Sequence, residues 1–535
     1  MSLEASIHTL HWHDNNLPVY SLDIQPSKVT SAQKTVRVAT GGGDNNVRIW
    51  RASYTETGVE SIQYLSSLTK HTQAVNCVRF DPSGELLASA SDDGTIMIWS
   101  LSDKIIKEFG NEEDDVKESW YLKTSCRSSS LSEVYDISWS PDSKYICCGS
   151  MDNITRIFNV STGTMIKQIA EHNHYVQGVT WDPRNEFICS QSADRSVHIY
   201  KILSDKASDL VLSPTTFYKI VRAELPTKSL TSENLSKNLD VSSMDPPLQT
   251  PRHKRTHSNS STSSSHSLAM SITRSSSPLP AVMPASSNAI YKNFHLYHNE
   301  TLQSFFRRLS FSPDGMLLLT TSGIYKTDGT EENVNTVYIH TRVGLNRLPV
   351  AHLPGFKKPA IAIKFSPVLY KLIPDEPRVF KLDYRMIFAV ATQDSLVLYD
   401  TQRLKALGIV TNIHYAVITD LSWSPDGQLL MVSSADGFVS SVNVSKTLSG
   451  EIEAYNGKEF LKKKRESLAS TPATPGTPAL ASVPQQTSII DMLQMEPIPP
   501  PEIIGKPGDS VEVIDITTPR ASSPGPGPSP KRQKN

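Results

Sequence analysis

The 535-residue chain is poor in cysteine and carries almost no net charge. Its five cysteines form no C-x-x-C pair, which fits buried thiols in a reducing compartment better than a disulfide framework. A formal net charge of −1 gives the whole molecule no field that attracts polyanions. No window approaches the roughly 18 consecutive apolar residues of a membrane span. The first sixteen residues carry histidines and acids where a signal peptide is apolar. The sequence therefore predicts a soluble intracellular protein without a membrane partner.

Signatures of catalysis are also missing from the sequence. There is no G-x-x-x-x-G-K-[ST] loop, and Gly41–Gly43 lies in a strand turn and not before a helix. No nucleophile is paired with a base at a recognisable spacing. His8, His11 and His13 alternate, and a partly exposed strand explains them better than metal ligation does. We therefore expect neither catalysis nor a metal or other cofactor.

A short repeat organises the chain. An apolar residue, any residue and then proline recur at the end of an alternating apolar run, at Ile24–Pro26, Phe80–Pro82, Trp139–Pro141, Trp181–Pro183, Phe311–Pro313, Phe365–Pro367 and Trp423–Pro425. Proline cannot donate to a β-ladder, so each copy marks a strand end followed by a turn. Short strands repeating at this period are typical of a propeller. The sequence predicts an all-β, seven-bladed β-propeller.

Two further patterns accompany this repeat. In five copies an aspartate lies six residues before an apolar strand end, as Asp93 lies before Trp99. In three copies a histidine lies nine residues before the aromatic residue of the proline motif. These features resemble the WD repeat, which implies buried sets of His, Ser or Thr, Asp and Trp. The residues predicted to hold the blades together are His71, Asp93, Trp99, His172, Asp194, His414 and Asp436. Ser130, Leu302 and Phe356 occupy the corresponding histidine positions of other blades.

Composition divides the chain into four segments. Residues 1–225 are predicted to form blades 1–4, and residues 289–446 to form blades 5–7. The strand Ile7–Trp12 is expected to complete the seventh blade and close the ring. Residues 226–288, rich in Ser and Pro, and residues 447–535, basic and rich in Pro, have too few apolar residues to offset the entropy of ordering, so both are predicted to be disordered.

The predicted tail contains two kinds of short motif. Basic runs that are candidates for nuclear import lie at Lys462, Lys463, Lys464 and Arg465, and at Lys531 and Arg532. The apolar island Val511–Ile516 has strong β propensity, with Val513, Ile514 and Ile516 as its candidate contact residues. Such an island adds a strand to the edge of a partner's sheet. The sequence predicts a nuclear protein that acts by binding other proteins.

Several stretches resemble one family, the middle WD-repeat subunit of chromatin assembly factor one. The most specific are Tyr175–Pro183 and Ser304–Ser310, since a generic blade requires neither Gln177 nor the Phe-Phe-Arg-Arg cluster. The resemblance covers about residues 10–225 and 289–445. It implies a scaffold that helps a histone chaperone complex to deposit the histone three–histone four pair on DNA in replication and repair. The alternatives are the related replication-independent histone chaperone and a ubiquitin-ligase substrate receptor.

The resemblance also implies partners. They are the large and small subunits of the factor, histones three and four, and the anti-silencing-function histone chaperone. The chaperone motif has arginines before its strand, whereas Glu512 precedes Val513 here, so the ubiquitin-like modifier SUMO is an equal candidate for this strand. Direct contact with DNA stays open. From their position at the start of a blade, the residues Phe305, Phe306, Arg307 and Arg308 are predicted to face a partner, with an acidic subunit as the target of the arginines.

Overall fold

The computed structural model describes residues 3–26, 34–105, 116–204, 210–213, 216–226, 291–326, 333–445, 452–456 and 512–515. Within these residues the regular structure is β-strand, with two 3-10 turns at Asp14–Asn16 and Arg342–Gly344. Neither of these turns approaches the length or apolar character of a membrane-crossing helix.

Blades 1 to 4 are antiparallel sheets of consecutive strands. Blade 1 contains β2 (Val19–Ile24), β3 (Lys34–Gly42), β4 (Val47–Thr55) and β5 (Gly58–Leu68). Blade 2 contains β6 (Val75–Phe80), β7 (Leu86–Ser91), β8 (Thr95–Leu101) and β9 (Trp120–Arg127). Blade 3 contains β10 (Val134–Trp139), β11 (Tyr145–Ser150), β12 (Thr155–Asn159) and β13 (Met165–Ile169). Blade 4 contains β14 (Val176–Trp181), β15 (Phe187–Ser192), β16 (Val197–Ser204), and β17 (Val211–Leu212) and β18 (Tyr218–Ile220), which both pair with β16.

Blades 5 to 7 follow a two-stranded sheet of β19 (Arg222–Pro226) and β20 (Tyr291–His295). Blade 5 contains β21 (Ser310–Phe311), β22 (Leu317–Lys326), β23 (Asn333–Thr341) and β24 (Ala351–Phe356). Blade 6 contains β25 (Ala360–Tyr370), β26 (Arg385–Thr392), β27 (Ser395–Asp400) and β28 (Ala406–Thr411), with β32 (Ile452–Asn456) and β33 (Glu512–Asp515) at its two edges. Blade 7 contains β29 (Ile418–Trp423), β30 (Leu429–Ser434), β31 (Val439–Val444) and the N-terminal β1 (Leu3–His8).

The first strands of the blades form a closed ring. Each contacts the first strand of the next blade, and the ring closes where β29 of blade 7 contacts β2 of blade 1. A sheet between two neighbours is covered on both faces, so β14 and β29 are buried along their whole length. The predicted seven-bladed propeller is confirmed.

The N-terminal strand closes the seventh blade as predicted, but its bounds were predicted wrongly. β1 pairs antiparallel with β31, from Leu3 opposite Val444 to His8 opposite Val439. The alternating run Ile7–Trp12 suggested a strand further along the chain. Trp12 is instead fully buried, with its ring 4.8 Å from that of Trp50 in blade 1.

Two compact units are distinguished by their internal contacts. The first contains every blade, and the second comprises residues 224–293 and 327–331. The predicted insert 226–288 lies outside the described residues except for Pro226. The import candidates Lys462–Arg465 and Lys531–Arg532 also lie outside them, as does Ile516.

Candidate functional site

The predicted histidine–aspartate set is present in blade 2. His71 Nδ1 lies 2.8 Å from an Asp93 carboxylate oxygen, and His71 Nε2 lies 2.7 Å from Ser89 Oγ. Trp99 Nε1 donates to the same hydroxyl at 2.9 Å. Burial opposes ionisation of Asp93, but hydrogen bonds from His71 and Thr95 outweigh it and hold the pKa of that carboxyl well below its usual range. The set ties the loop before β6 to the turn between β7 and β8.

Blade 4 contains a similar set with both histidine contacts, whereas blade 7 contains only the contact between histidine and aspartate. In blade 4, His172 lies 3.0 Å from Asp194 and 2.8 Å from Ser190. In blade 7, His414 Nδ1 lies 3.1 Å from Asp436, but its Nε2 is buried with no hydrogen-bond partner among the described residues. The blade 7 position that corresponds to Ser89 is Val432.

Blade 1 contains a set that the spacing rule missed. His13 Nδ1 lies 2.7 Å from Asp44, and His13 Nε2 lies 3.1 Å from Thr40, which also accepts from Trp50 Nε1 at 3.0 Å. The rule did not find His13, because it lies eleven residues before Ile24 instead of nine. Its predicted place on a partly exposed strand is wrong, since His13 is fully buried. The six-residue spacing of Asp44 and Trp50 was the available signal.

One group of side chains has the proximity that a metal site requires. Candidate ligand atoms of His172, Asp194 and His198 lie within 4.8 Å of one another. The rings of His172 and His198 are stacked with centroids 3.7 Å apart, and both nitrogens of each ring lie within hydrogen-bond distance of protein groups. These contacts make the group part of the blade 4 set and not an open metal site.

Arg308 contacts most of the blades at the central channel, which is the space enclosed by the first strands of the blades. Its guanidinium donates to the carbonyl oxygens of Thr419 at 2.7 Å and Asn76 at 2.8 Å, and Nε lies 3.4 Å from Asp136. Its backbone N–H donates to Ile361 at 2.8 Å. Arg308, which lies just before blade 5 in the chain, therefore binds blades 2, 3, 6 and 7.

The prediction that Arg307 and Arg308 face a partner is wrong. Their exposed fractions are 1% and 2%. Arg307 donates to the carbonyl oxygens of His298 and Asn299, and burial lowers its pKa to about 10. Charges at the start of an inner strand were expected to add little to the core. Here they are buried because guanidinium groups can satisfy several carbonyl oxygens where the blades converge.

The two stretches that resembled the family most specifically contact each other. Gln177 Nε2 donates to the carbonyl oxygen of Ser304 at 2.9 Å, and the Arg307 N–H donates to that of Gln177 at 3.1 Å. A Cβ on Gly178 would lie 1.9 Å from the Arg307 carbonyl oxygen, so only glycine fits there. The residues that made these two stretches specific to the family thus form the contact between blades 4 and 5.

A cavity of about 1100 Å³ opens where the inner strands end. Its charged lining residues are Asp23, Arg79, Asp81, Asp136, Arg308, Lys364 and Asp426. Arg79 Nη1 lies 2.6 Å from Asp420, and the two arginines hold the pKa of Asp420 at about 2 although burial opposes ionisation. The charges of Arg79, Arg308 and Asp420 therefore compensate one another at the centre of the ring.

Exposed apolar residues lie at the opposite ends of the inner strands. The loops that lead into these strands are here named the entry rim. It includes Leu131, Phe305, Tyr415 and Val417, which are 52%, 64%, 97% and 42% exposed. Phe306, in contrast, is 3% exposed and packs under the Arg308 guanidinium, so its predicted role in partner binding is wrong. Phe305 stays a candidate.

A closed ring of seven sheets, with histidine–aspartate pairs in blades 1, 2, 4 and 7, defines a WD-repeat β-propeller. Comparison with known sequences is more specific, because the family described as CAF1B/HIR1 beta-propeller domain matches residues 3–235 and 246–448. The chain belongs to this family.

Relatives include the B-subunit of chromatin assembly factor 1 from Schizosaccharomyces pombe, 40% identical over 457 residues that cover 82% of this chain and 87% of the relative. The protein of the same name from Saccharomyces cerevisiae is 35% identical over 472 residues, with 83% and 86% covered. Protein HIR1 of Kluyveromyces lactis is 25% identical over 442 residues, which cover 79% of this chain and 40% of that protein. The resemblance to the chromatin assembly factor subunit is confirmed.

Proposed function

We propose that this chain is the non-catalytic WD-repeat scaffold of a nuclear histone chaperone complex that deposits the histone three–histone four pair on DNA during replication and repair. The supporting observation is the identity of 40% to a chromatin assembly factor subunit along 82% of this chain and 87% of that protein. The partners are the large and small subunits of that factor and, through them, the histones.

The entry rim is the surface that suits such a scaffold. Phe305 and Tyr415 are large aromatic side chains with exposed fractions of 64% and 97%, and aromatic residues are enriched where protein partners bind. Their loops flank one turn of blade 6, because the Gln393 side chain donates to the carbonyl oxygen of Gln303 and the Gln393 carbonyl oxygen accepts from the Ile418 N–H. The rim therefore offers a partner apolar anchors on a rigid ring.

The alternatives have less support. Identity to the HIR1 protein is 25%, and the match covers only 40% of that longer protein. A ubiquitin-ligase receptor would need an adaptor-binding arginine, and the element Trp181–Arg184 resembles the one that carries it only superficially, because Trp181 ends the first strand of a blade. Arg184 Nε instead donates to the carbonyl oxygen of Asp314 at 2.7 Å within the propeller.

Affinity purification of the tagged full-length chain from nuclear extract tests the proposal. We expect the large and small subunits and both histones to copurify and the tagged chain to concentrate at replication foci. Recovery of a cullin adaptor instead would support the ligase alternative. Recovery of histones without the two subunits, away from replication foci, would support the replication-independent chaperone.

A further inference from the structure

The outer edge of blade 6 differs from the outer edges of the other blades. Natural proteins protect exposed edge strands with charges, proline or a covering segment, because an open edge pairs with other chains. The outermost strands of the other blades contain such a residue, namely Glu4, Glu60, Lys123, Lys167, Lys219 of β18 and Pro354, and the exception is the two-residue β17, which shares the outer edge of blade 4 with β18. β28 has the sequence Ala-Leu-Gly-Ile-Val-Thr, with neither a charge nor a proline.

A fifth strand covers this edge. Backbone pairing joins β33 to β28 in parallel, with Glu512 opposite Gly408, Val513 opposite Ile409 and Asp515 opposite Thr411. β33 also lies beside β1, the outermost strand of blade 7. The sequence of the added strand contains Glu512 and Asp515, so blade 6 then has an outermost strand with charged residues, as blades 1, 2, 3 and 7 have.

The acceptor edge is firmly held by the blade. β28 pairs with β27 from Ser395 opposite Thr411 to Tyr399 opposite Ala406. Val410 is fully buried in a core cluster that also contains Leu421 of blade 7. An edge fixed in this way can bind an extended segment through backbone hydrogen bonds without a change in its own structure.

We propose that the outer edge of blade 6 is a strand-acceptor site whose occupant is the chain's own residues 512–515, and that docking withholds this strand from the sheets of other proteins. Because the strand is tethered to the acceptor, docking is intramolecular and independent of protein concentration. A protein that captures the strand has to compete with β28, and its binding uncovers the unprotected edge. This inference stands whether or not the proposed chaperone function is correct.

Hydrogen exchange of the full-length chain tests the docking. Val513→Pro is made together with Ile514→Pro, because successive amides of a strand point in opposite directions and only the pair must remove one donor facing β28. In this variant, alternate amides of residues 407–411 should exchange roughly tenfold faster. Ile504→Pro made together with Ile503→Pro, upstream in the same tail, is the matched control and should leave these amides unchanged. Equal exchange in the wild type and the variant with Val513→Pro and Ile514→Pro would show that the strand does not occupy this edge.

Two further measurements identify the occupant. A peptide of residues 508–519 added to the chain with Val513→Pro and Ile514→Pro should restore the slow exchange of residues 407–411, and the same peptide carrying both substitutions should not. Dilution of the wild-type chain over about a hundredfold range should leave the exchange unchanged if docking is intramolecular. Exchange that becomes faster on dilution would mean that a second copy supplies the strand, and would overturn the proposal.

Discussion

The guanidinium of Arg308 lies 3.2 Å from the carboxylate of Asp420, so an ion pair joins the start of blade 5 to blade 7 across the central channel. Both groups are almost fully buried, at 2% and 0% exposed. Removing one partner of such a pair leaves a buried charge without compensation, whereas a charge pair on the surface contributes little.

Arg308→Met should therefore lower the free energy of unfolding by about 3 kcal/mol, the lower end of the range for a broken buried pair, because Arg79 still compensates Asp420. Urea denaturation followed by fluorescence measures the loss. Arg347→Met, at an exposed position outside the channel, is the control and should change stability little. A midpoint for Arg308→Met equal to that of the wild type would show that the channel contacts do not stabilise the ring.

The histidine sets predict unequal effects of one substitution in two blades. His71→Leu removes contacts to both Asp93 and Ser89, and should lower the free energy of unfolding by about 1–3 kcal/mol. His414→Leu removes only the contact to Asp436 and eliminates a buried nitrogen without a partner among the described residues, so its cost should be smaller. Thermal denaturation of the two variants side by side measures the difference. Equal losses of unfolding free energy in the two variants would mean that the contact between His71 and Ser89 contributes little to stability.

A buried histidine predicts that stability falls in weak acid. Burial lowers the pKa of His340 from 6.5 to about 3, and neither ring nitrogen has a partner among the described residues. Above pH 6.5 both the folded and the unfolded chain carry this residue neutral. Between pH 6.5 and about 3 only the unfolded chain binds the proton, so stability is progressively lost as the pH falls.

His340→Leu should reduce the decline in the free energy of unfolding between pH 6.5 and 5.5 by about 1 kcal/mol, because the unfolded histidine is already half protonated at pH 6.5. Urea denaturation at these two pH values measures it. His11→Leu replaces an exposed histidine and is the control. Its free energy of unfolding should decline with pH as that of the wild type does. A slope that is the same in both variants would mean that His340 takes up its proton in the folded chain.

Ring closure depends on the backbone of β1. Successive amides of a strand point in opposite directions, so the double substitution Ala5→Pro and Ser6→Pro must remove one donor facing β31. We expect a lower melting temperature, measured by fluorescence during heating, and aggregation that increases with concentration, measured by light scattering. Ser6→Ala keeps the donor and should behave like the wild type.

Phe305 tests the entry rim under the proposed function. Phe305→Asp should reduce recovery of the other subunits in affinity purification and leave the melting temperature unchanged, because this ring is 64% exposed. Leu203→Asp is matched in exposure, at 55%, but lies in blade 4 outside the rim. Equal recovery with both variants would exclude the rim around Phe305 as the partner surface.

Local patterns predicted the ring and much of its internal bonding. Proline motifs located the ends of the inner strands, and the spacing of Asp93 and Trp99 located a complete hydrogen-bonded set. The burial of Arg308 could not be predicted, because its partners Asn76 and Thr419 come from blades that only closure brings together. His13 was missed for a similar reason, since a longer entry loop changed its spacing but not its position in the blade.

The pairing of Leu3 with Val444 has a consequence for synthesis. The two partners are 441 positions apart, so at about 5–20 residues per second a ribosome needs roughly 20–90 seconds after making the first before it makes the second. Throughout that interval β1 of the nascent chain lacks β31, the strand with which it pairs in the folded protein. Until the last blade has been translated, β1 is therefore an unpaired strand that is able to pair with other chains.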